Sequence, residues 1–250
     1  MTDGATQPPV IAAVTRAFHT EPRLGPRFKL DRIAIESGGA LVLEGNVASL
    51  MEKKLSLLRV AAVPGVSALV DRVHVTPVTP TGDRHIRAQL REMFAEDSDF
   101  SDLEVREDVA AVILATEFKP VSGSRADARG RLDLEVEDGV VVLNGAVPSL
   151  VRKRLAGAMA WWIPGVRDVI NGLVVEPPEE DGPDQIEEAV RVVLNRDTAI
   201  DAAQIKVGVR AKVVRLTGLV RSEIARQKAE SDAWAVFGVD DVINDIAVRT

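Results

Sequence analysis

Leu216-Thr217-Gly218-Leu219-Val220, followed by Gly238-Val239 and then Asn244-Asp245-Ile246-Ala247-Val248, is the stretch that decides the fold. Its second glycine stands twenty residues after its first. The same ruler occurs twice more, as Gly45-Asn46-Val47 with Gly65-Val66 and as Gly145-Ala146-Val147 with Gly165-Val166. Other columns keep step with it. Leu43, Leu143 and Leu216 precede the first glycine by two residues, and Asp71, Asn171 and Asn244 precede a final Val-rich run. A fixed spacing in three places reads as one small module written three times.

The third copy gives the module its elements. Asp184 is a candidate N-cap, and Ile186, Ala189, Val190, Val193 and Leu194 recur at helical spacing after it. Ile205, Val207 and Val209 alternate with Lys206 and Gly208 as a half-buried strand does. A strand through Val214 and Leu216, a helix over Ser222 to Val236 and a strand over Val242 to Val248 follow. The order is helix, strand, strand, helix, strand. In the second copy Asp138-Gly139 is a hairpin signal between Val136 and Val140, and Ser37-Gly38-Gly39 serves the first.

Two proline-rich linkers, Thr76 to Asp83 and Glu176 to Asp184, can continue neither a ladder nor a helix interior. They divide the chain into domains at 8–76, 84–176 and 184–250. The middle domain carries an insertion at about 97–130. Within it, Leu103 to Asp108 and Val109 to Thr116 read as two strands, and Ser122 to Gly130 as a mobile loop. The insertion reads equally as a hairpin left from a further repeat or as an excursion.

At these residues the chain resembles the BON domain, named for bacterial OsmY and nodulation proteins. The likeness rests on the alternating strand, the Leu-x-Gly-x-Val, the helix, the Gly-Val and the Asn before the last strand. It implies an α+β fold of three tandem αββαβ modules, each a small mixed sheet with two helices on one face. It also implies a non-enzymatic protein that binds phospholipid or a membrane surface, linked to osmotic or envelope stress. Members of the family are often exported.

Composition bounds the alternatives. The 250 residues carry a formal net charge of -7, which argues against a nucleic-acid partner, since phosphate binding needs a basic footprint. There is no cysteine, so thiol nucleophiles and disulfides are excluded. No basic, then apolar, N-terminal run is visible, and no apolar stretch approaches the roughly 18 residues of a span. The expectation is a cytoplasmic protein.

No catalytic pattern is present, and no enzyme activity, cofactor or metal is expected. His19, His74 and His85 occupy dissimilar places in the repeats and lack ligand spacing. The recurring glycines Gly45, Gly65, Gly145, Gly165, Gly218 and Gly238 read as structural. The first of each pair suits a backbone turn or a close helix-to-sheet approach, and the second a left-handed helix cap.

The candidate ligand or partner surface is aromatic and basic: Trp161, Trp162, Trp234, Phe237, Arg152 and Lys153. At about 100° per residue, Trp161 and Trp162 fall on opposite flanks of the buried helix face, each roughly 130° from its centre. Both cannot enter one small core. Two readings stay open. The rings cover gaps between neighbouring domains, or they form a contact surface for lipid headgroups, a partner protein or a second copy of the chain.

Overall fold

A computed structural model describes residues 9–108, 118–120 and 128–249. The chain divides into two compact units, one ending at Thr76 and one beginning at Pro77.

The first unit runs α1 (Pro9–His19), β1 (Arg32–Ile35), β2 (Leu41–Val47), α2 (Leu50–Ala61) and β3 (Leu69–Val75). Strand β2 is central, antiparallel to β1 and parallel to β3. The helix α2 is the crossover that a parallel pair requires. Ile11, Val14 and Phe18 line one face of α1 at helical spacing and are buried with Leu41, Leu43 and Leu55. Phe18 meets Phe28 edge to face at 5.2 Å between ring centres.

The second unit holds two such modules. The middle one comprises α3 (Asp83–Glu96), β4 (Glu104–Asp108), β5 (Phe118–Pro120), β6 (Arg131–Glu137), β7 (Val140–Val147), α4 (Leu150–Trp161), β8 (Asp168–Asn171) and β9 (Val174–Val175). The last comprises α5 (Pro183–Arg196), β10 (Ile205–Arg210), β11 (Val213–Val220), α6 (Glu223–Ala235) and β12 (Asp241–Val248). Strand β11 repeats the pairing of β2, antiparallel to β10 and parallel to β12. The fold is thus α+β, built of small mixed sheets and, among the described residues, six α-helices. The first unit and the last module share the αββαβ order, to which the middle module adds β4, β5 and a split final strand, β8 and β9.

The insertion extends the middle sheet. Strand β4 lies parallel to β6, and β5 pairs antiparallel with β4, giving the order β5-β4-β6-β7-β8. Val105 of β4 is buried opposite Leu132. On the other face Arg106 bonds Asp133 at 2.7 Å, and Arg131 reaches the same carboxylate at 2.8 Å. The strand expected at Leu103 to Asp108 is β4. The one expected at Val109 to Thr116 lies outside the described residues, as does most of the expected loop at Ser122 to Gly130.

Local chemistry explains the shared corners. Ser49, Ser149 and Ser222 each cap the helix that follows, accepting the N–H three residues on at 3.2, 3.2 and 3.1 Å. The first glycine of each pair is required by its partner strand rather than by a helix. A Cβ on Gly218 would stand 2.0 Å from the Gln204 carbonyl oxygen, and one on Gly145 would stand 2.2 Å from that of Arg131. The second glycine follows the helix with φ of 94° at Gly65, 94° at Gly165 and 88° at Gly238. Asp184 is not the cap of α5. Gly182 takes that position, Pro183 supplies the first helical residue, and Asp184 sits in the first turn.

The Asp71, Asn171 and Asn244 column ties the last strand to the second helix. Asn171 donates its amide to the Lys153 carbonyl at 2.7 Å, and Asn244 to the Arg226 carbonyl at 3.0 Å. In both, Oδ1 accepts the N–H two residues on, at 3.3 and 3.2 Å. Asp71 cannot donate. There Lys53, at the same helix position, supplies the cation, 3.0 Å from Asp71 and 2.6 Å from the Val73 carbonyl oxygen.

Candidate binding surface

Trp162, Lys153 and Arg154 of α4 and its end, with Lys228 of α6, lie at the seam where the middle and last modules pack through α4, α5 and α6. Trp234 is buried at 1% exposure. Trp162 is half-buried and donates its indole N–H to Asp232 at 2.9 Å. Lys228 stands over the Trp162 ring at 5.6 Å. Phe237 is 53% exposed, with Lys153 5.4 Å from its ring centre. Trp161 is half-buried. Arg152 pairs with Asp102 of its own module at 2.7 Å. Trp162, Phe237 and Lys153 therefore meet where α4 faces the end of α6, Trp234 is buried within α6, and Arg152, held by Asp102, lines a groove with Gln185, Glu188 and Val192 of α5.

Arg154 is the most buried basic residue of this group. Its guanidinium donates to the Phe237 carbonyl at 2.9 Å and to Asp181 of the second linker at 2.7 Å. One side chain thus joins α4, the end of α6 and the linker. Burial, with Arg154 beside it, lowers the Lys153 ammonium from its ordinary value.

The seam also holds charge. Asp232 of α6 is 1% exposed. Lys228 lies 3.2 Å from it and 2.9 Å from Asp197, the residue that ends α5. Burial pushes the Asp232 carboxyl up to about 7, and the facing Asp197 adds to the rise against the pull of Lys228. Burial also works against the charge on Asp197, but bonds from Lys228 and the Ala199 N–H outweigh it and hold that carboxyl below its ordinary value.

A different surface is open to solvent. At the carboxyl end of β11 and β12, a corner of about 500 Å³ is lined by Ile200, Leu219, Arg221, Ser222 and Arg249. Leu219 is 41% exposed, and Ile224, in the first turn of α6, is 78% exposed. Arg221 and Arg249 are exposed and have no ion pair among the described residues. The matching corner of the first unit, about 390 Å³, carries Arg27 and Lys29 beside Leu24 and Phe28. Sequence reading passed over this corner because its residues are scattered between a loop, a helix start and a strand end. The one available signal was Ile224, an aliphatic residue among polar neighbours just after a capping serine.

Among the described residues no group of three or more acidic or histidine side chains is placed to hold a metal ion. Among them, too, no helix is long and apolar enough to cross a membrane.

These modules, a three-stranded mixed core sheet with a crossover helix and a glycine at each corner, define a class of small repeated α+β domain. The BON domain profile matches residues 101–177 and 183–250, more than half of the chain, and the chain belongs to that family. Over 124 residues it is 29% identical to the osmotically-inducible protein Y of Escherichia coli (strain K12), an alignment covering 47% of this chain. That alignment spans 62% of the relative's length, less than two thirds. Among solved structures, the C-terminal domain of CdsD, a structural protein of the type III secretion system of Chlamydia trachomatis, aligns at 13% identity and a TM-score of 0.25. The alignment covers 98% of this chain and all of that one. A second CdsD structure gives 14% and 0.24, over 96% and 92%. At those scores the likeness carries no argument.

Proposed function

We propose that this is a non-enzymatic binding protein of osmotic or envelope stress that touches anionic phospholipid surfaces through the corner at the start of α6. The first unit, on this reading, is a third BON domain. The observation that carries the reading is the exposed Ile224, two residues beyond Ser222 of a corner that holds Leu219 and the two arginines Arg221 and Arg249, neither ion-paired among the described residues. An aliphatic tip with cations at its base suits the boundary between headgroups and acyl chains. Burying Ile224 is worth about 2 kcal/mol, and each arginine near an anionic leaflet about 1 kcal/mol. The sum, about 4 kcal/mol, gives a reversible contact near the millimolar range and not a permanent anchor. The link to osmotic stress is supported by the name of the Escherichia coli relative.

Co-sedimentation with vesicles tests the reading. The wild type is expected to pellet with phosphatidylglycerol-containing vesicles at low salt and not with neutral phosphatidylcholine vesicles. Ile224→Asp with Arg221→Glu is expected to stay in solution. Tryptophan emission is expected to stay unshifted on binding, because no tryptophan lines that corner. A blue shift would move the contact to Trp161 and Phe237. Absence of wild-type binding to both vesicle types would end the lipid reading.

A second reading, a scaffold that self-associates or holds a protein partner, is favoured by one feature. Ile170 and Val174, on the edge strands β8 and β9, are 53% and 55% exposed. A mass in solution above that of one chain, lowered by Ile170→Lys, supports it.

A further inference from the structure

We infer that Asp232 and Asp197 form a proton-operated latch between α6 and the end of α5 in the last module, at the edge of the seam with the middle module, closed when they share a proton and loosened when it leaves. The inference stands first on geometry. Asp232 sits at 1% exposure, and its Oδ1 is occupied by the Trp162 indole at 2.9 Å and by Lys228 at 3.2 Å. Its Oδ2 is buried and has no hydrogen-bond partner among the described residues. A buried carboxylate oxygen without a donor is costly, whereas a protonated one becomes a donor itself. Lys228 holds the second carboxylate of the pair close by, its Nζ 2.9 Å from Asp197 Oδ2 and 3.2 Å from Asp232 Oδ1.

The charged groups around Asp232 come from each packed element in turn. Its own helix α6 supplies Lys228, and the end of α5 supplies Asp197. Helix α4 brings only the neutral indole of Trp162. One cation, itself 39% exposed, therefore serves two carboxylates that are largely buried. With both ionised, the cluster holds a net negative charge at the seam. One proton removes that charge and gives Oδ2 its missing bond.

The direction of the effect follows from linkage. The carboxyl in the folded module keeps its proton up to about 7, while an aspartate of the unfolded chain releases it near 3.8. The latch's contribution to the stability of the last module is therefore full below the ordinary carboxylate range and is lost as pH rises to about 7, after which it levels. Between those limits each pH unit changes the folding constant by up to about tenfold. The latch is tight in acid and slack at neutral pH. Its switching range adjoins that of mildly acidic compartments. It also spans three helices, so that the orientation of α6, which carries Ile224, is coupled to it.

The test is urea unfolding of the full chain followed by tryptophan emission at pH 5, 6, 7 and 8. The wild-type midpoint is expected to fall steadily from pH 5 to pH 7. Asp232→Asn keeps the shape, offers Oδ1 to Trp162 and Lys228, and donates its amide to Asp197. It is expected to show a flat profile lying above the wild type at pH 8. Equal pH slopes in both proteins would overturn the latch. Should the variant fail to fold, the carboxyl carbon of Asp232 is titrated by NMR in the wild type. A midpoint two or more pH units above that of an ordinary aspartate supports the proposal, and an ordinary midpoint overturns it.

Discussion

Asn244→Asp is predicted to unfold the last module early, although aspartate stands in the same column of the first unit as Asp71. The amide of Asn244 donates to the Arg226 carbonyl and to Glu230, both at 3.0 Å. Aspartate loses both bonds and keeps only the acceptor role toward the Ile246 N–H. Each lost bond costs about 1 kcal/mol, and a second carboxylate against Glu230 and a carbonyl adds roughly 1 kcal/mol more. In the first unit Lys53 rescues Asp71. The counterpart of Lys53 here is Arg226, which is already engaged by Glu223 at 2.9 Å. The loss is thus about 3 kcal/mol. All three tryptophans lie beyond Pro77, so their emission reports the second unit alone. With a urea slope of about 2 kcal/mol per molar, the midpoint drops by roughly 1.5 M. Adding Arg226→Lys, which rebuilds the pair of the first unit, is expected to recover part of the loss. A midpoint within about 0.3 M of wild type would refute the reasoning.

Two other predictions concern ionic groups. Arg154→Met removes the guanidinium that joins α4 to the Phe237 carbonyl and Asp181. Because Asp181 is half exposed and rehydrates, the expected loss is about 2 kcal/mol in the same urea assay, and an unchanged midpoint contradicts the tether. In the first unit, the bond from Arg23, helped by Arg59, holds the Glu21 carboxyl down at about 2. Its contribution is therefore complete above the ordinary glutamate value and is lost as pH falls through about 2. Far-UV circular dichroism of Glu21→Gln is expected to show a deficit of at most about 3 kcal/mol at pH 6 that shrinks toward pH 2. A deficit independent of pH would assign Glu21 a packing role instead.

Much of the architecture was legible because the repeat writes its constraints in single residues. The glycine columns, the Asp138-Gly139 turn and the Asn column each mark a backbone demand that few side chains meet. The turn of the last module was hidden. Ala211 and Lys212 adopt positive φ of 48° and 63° there, a conformation that sequence assigns to Gly or Asn. The capping serines at 49, 149 and 222 were equally in register and equally readable, but serine is common enough to pass unnoticed. The surface was less legible than the fold. Helical phase places Trp161 and Trp162 off the core of their own module, but it cannot say whether solvent or another module lies beyond. That depends on how α4 meets α5 and α6, which no local pattern encodes. The cluster of Asp197, Lys228, Asp232 and Trp162 draws on three separated segments and had no sequence signature.

The strand β4 has a consequence for assembly. In the first and last modules the hairpin strands β1 and β10 end their sheets. In the middle module that same side is occupied by the chain's own inserted strand, lying parallel to β6. Open strand edges are where sheets of separate molecules fuse, and tandem copies of one module multiply the risk, since each edge is a template for its siblings. The insertion removes β6 from that exchange. A copy of the module that would otherwise compete with its neighbours for pairing is made distinguishable from them during folding.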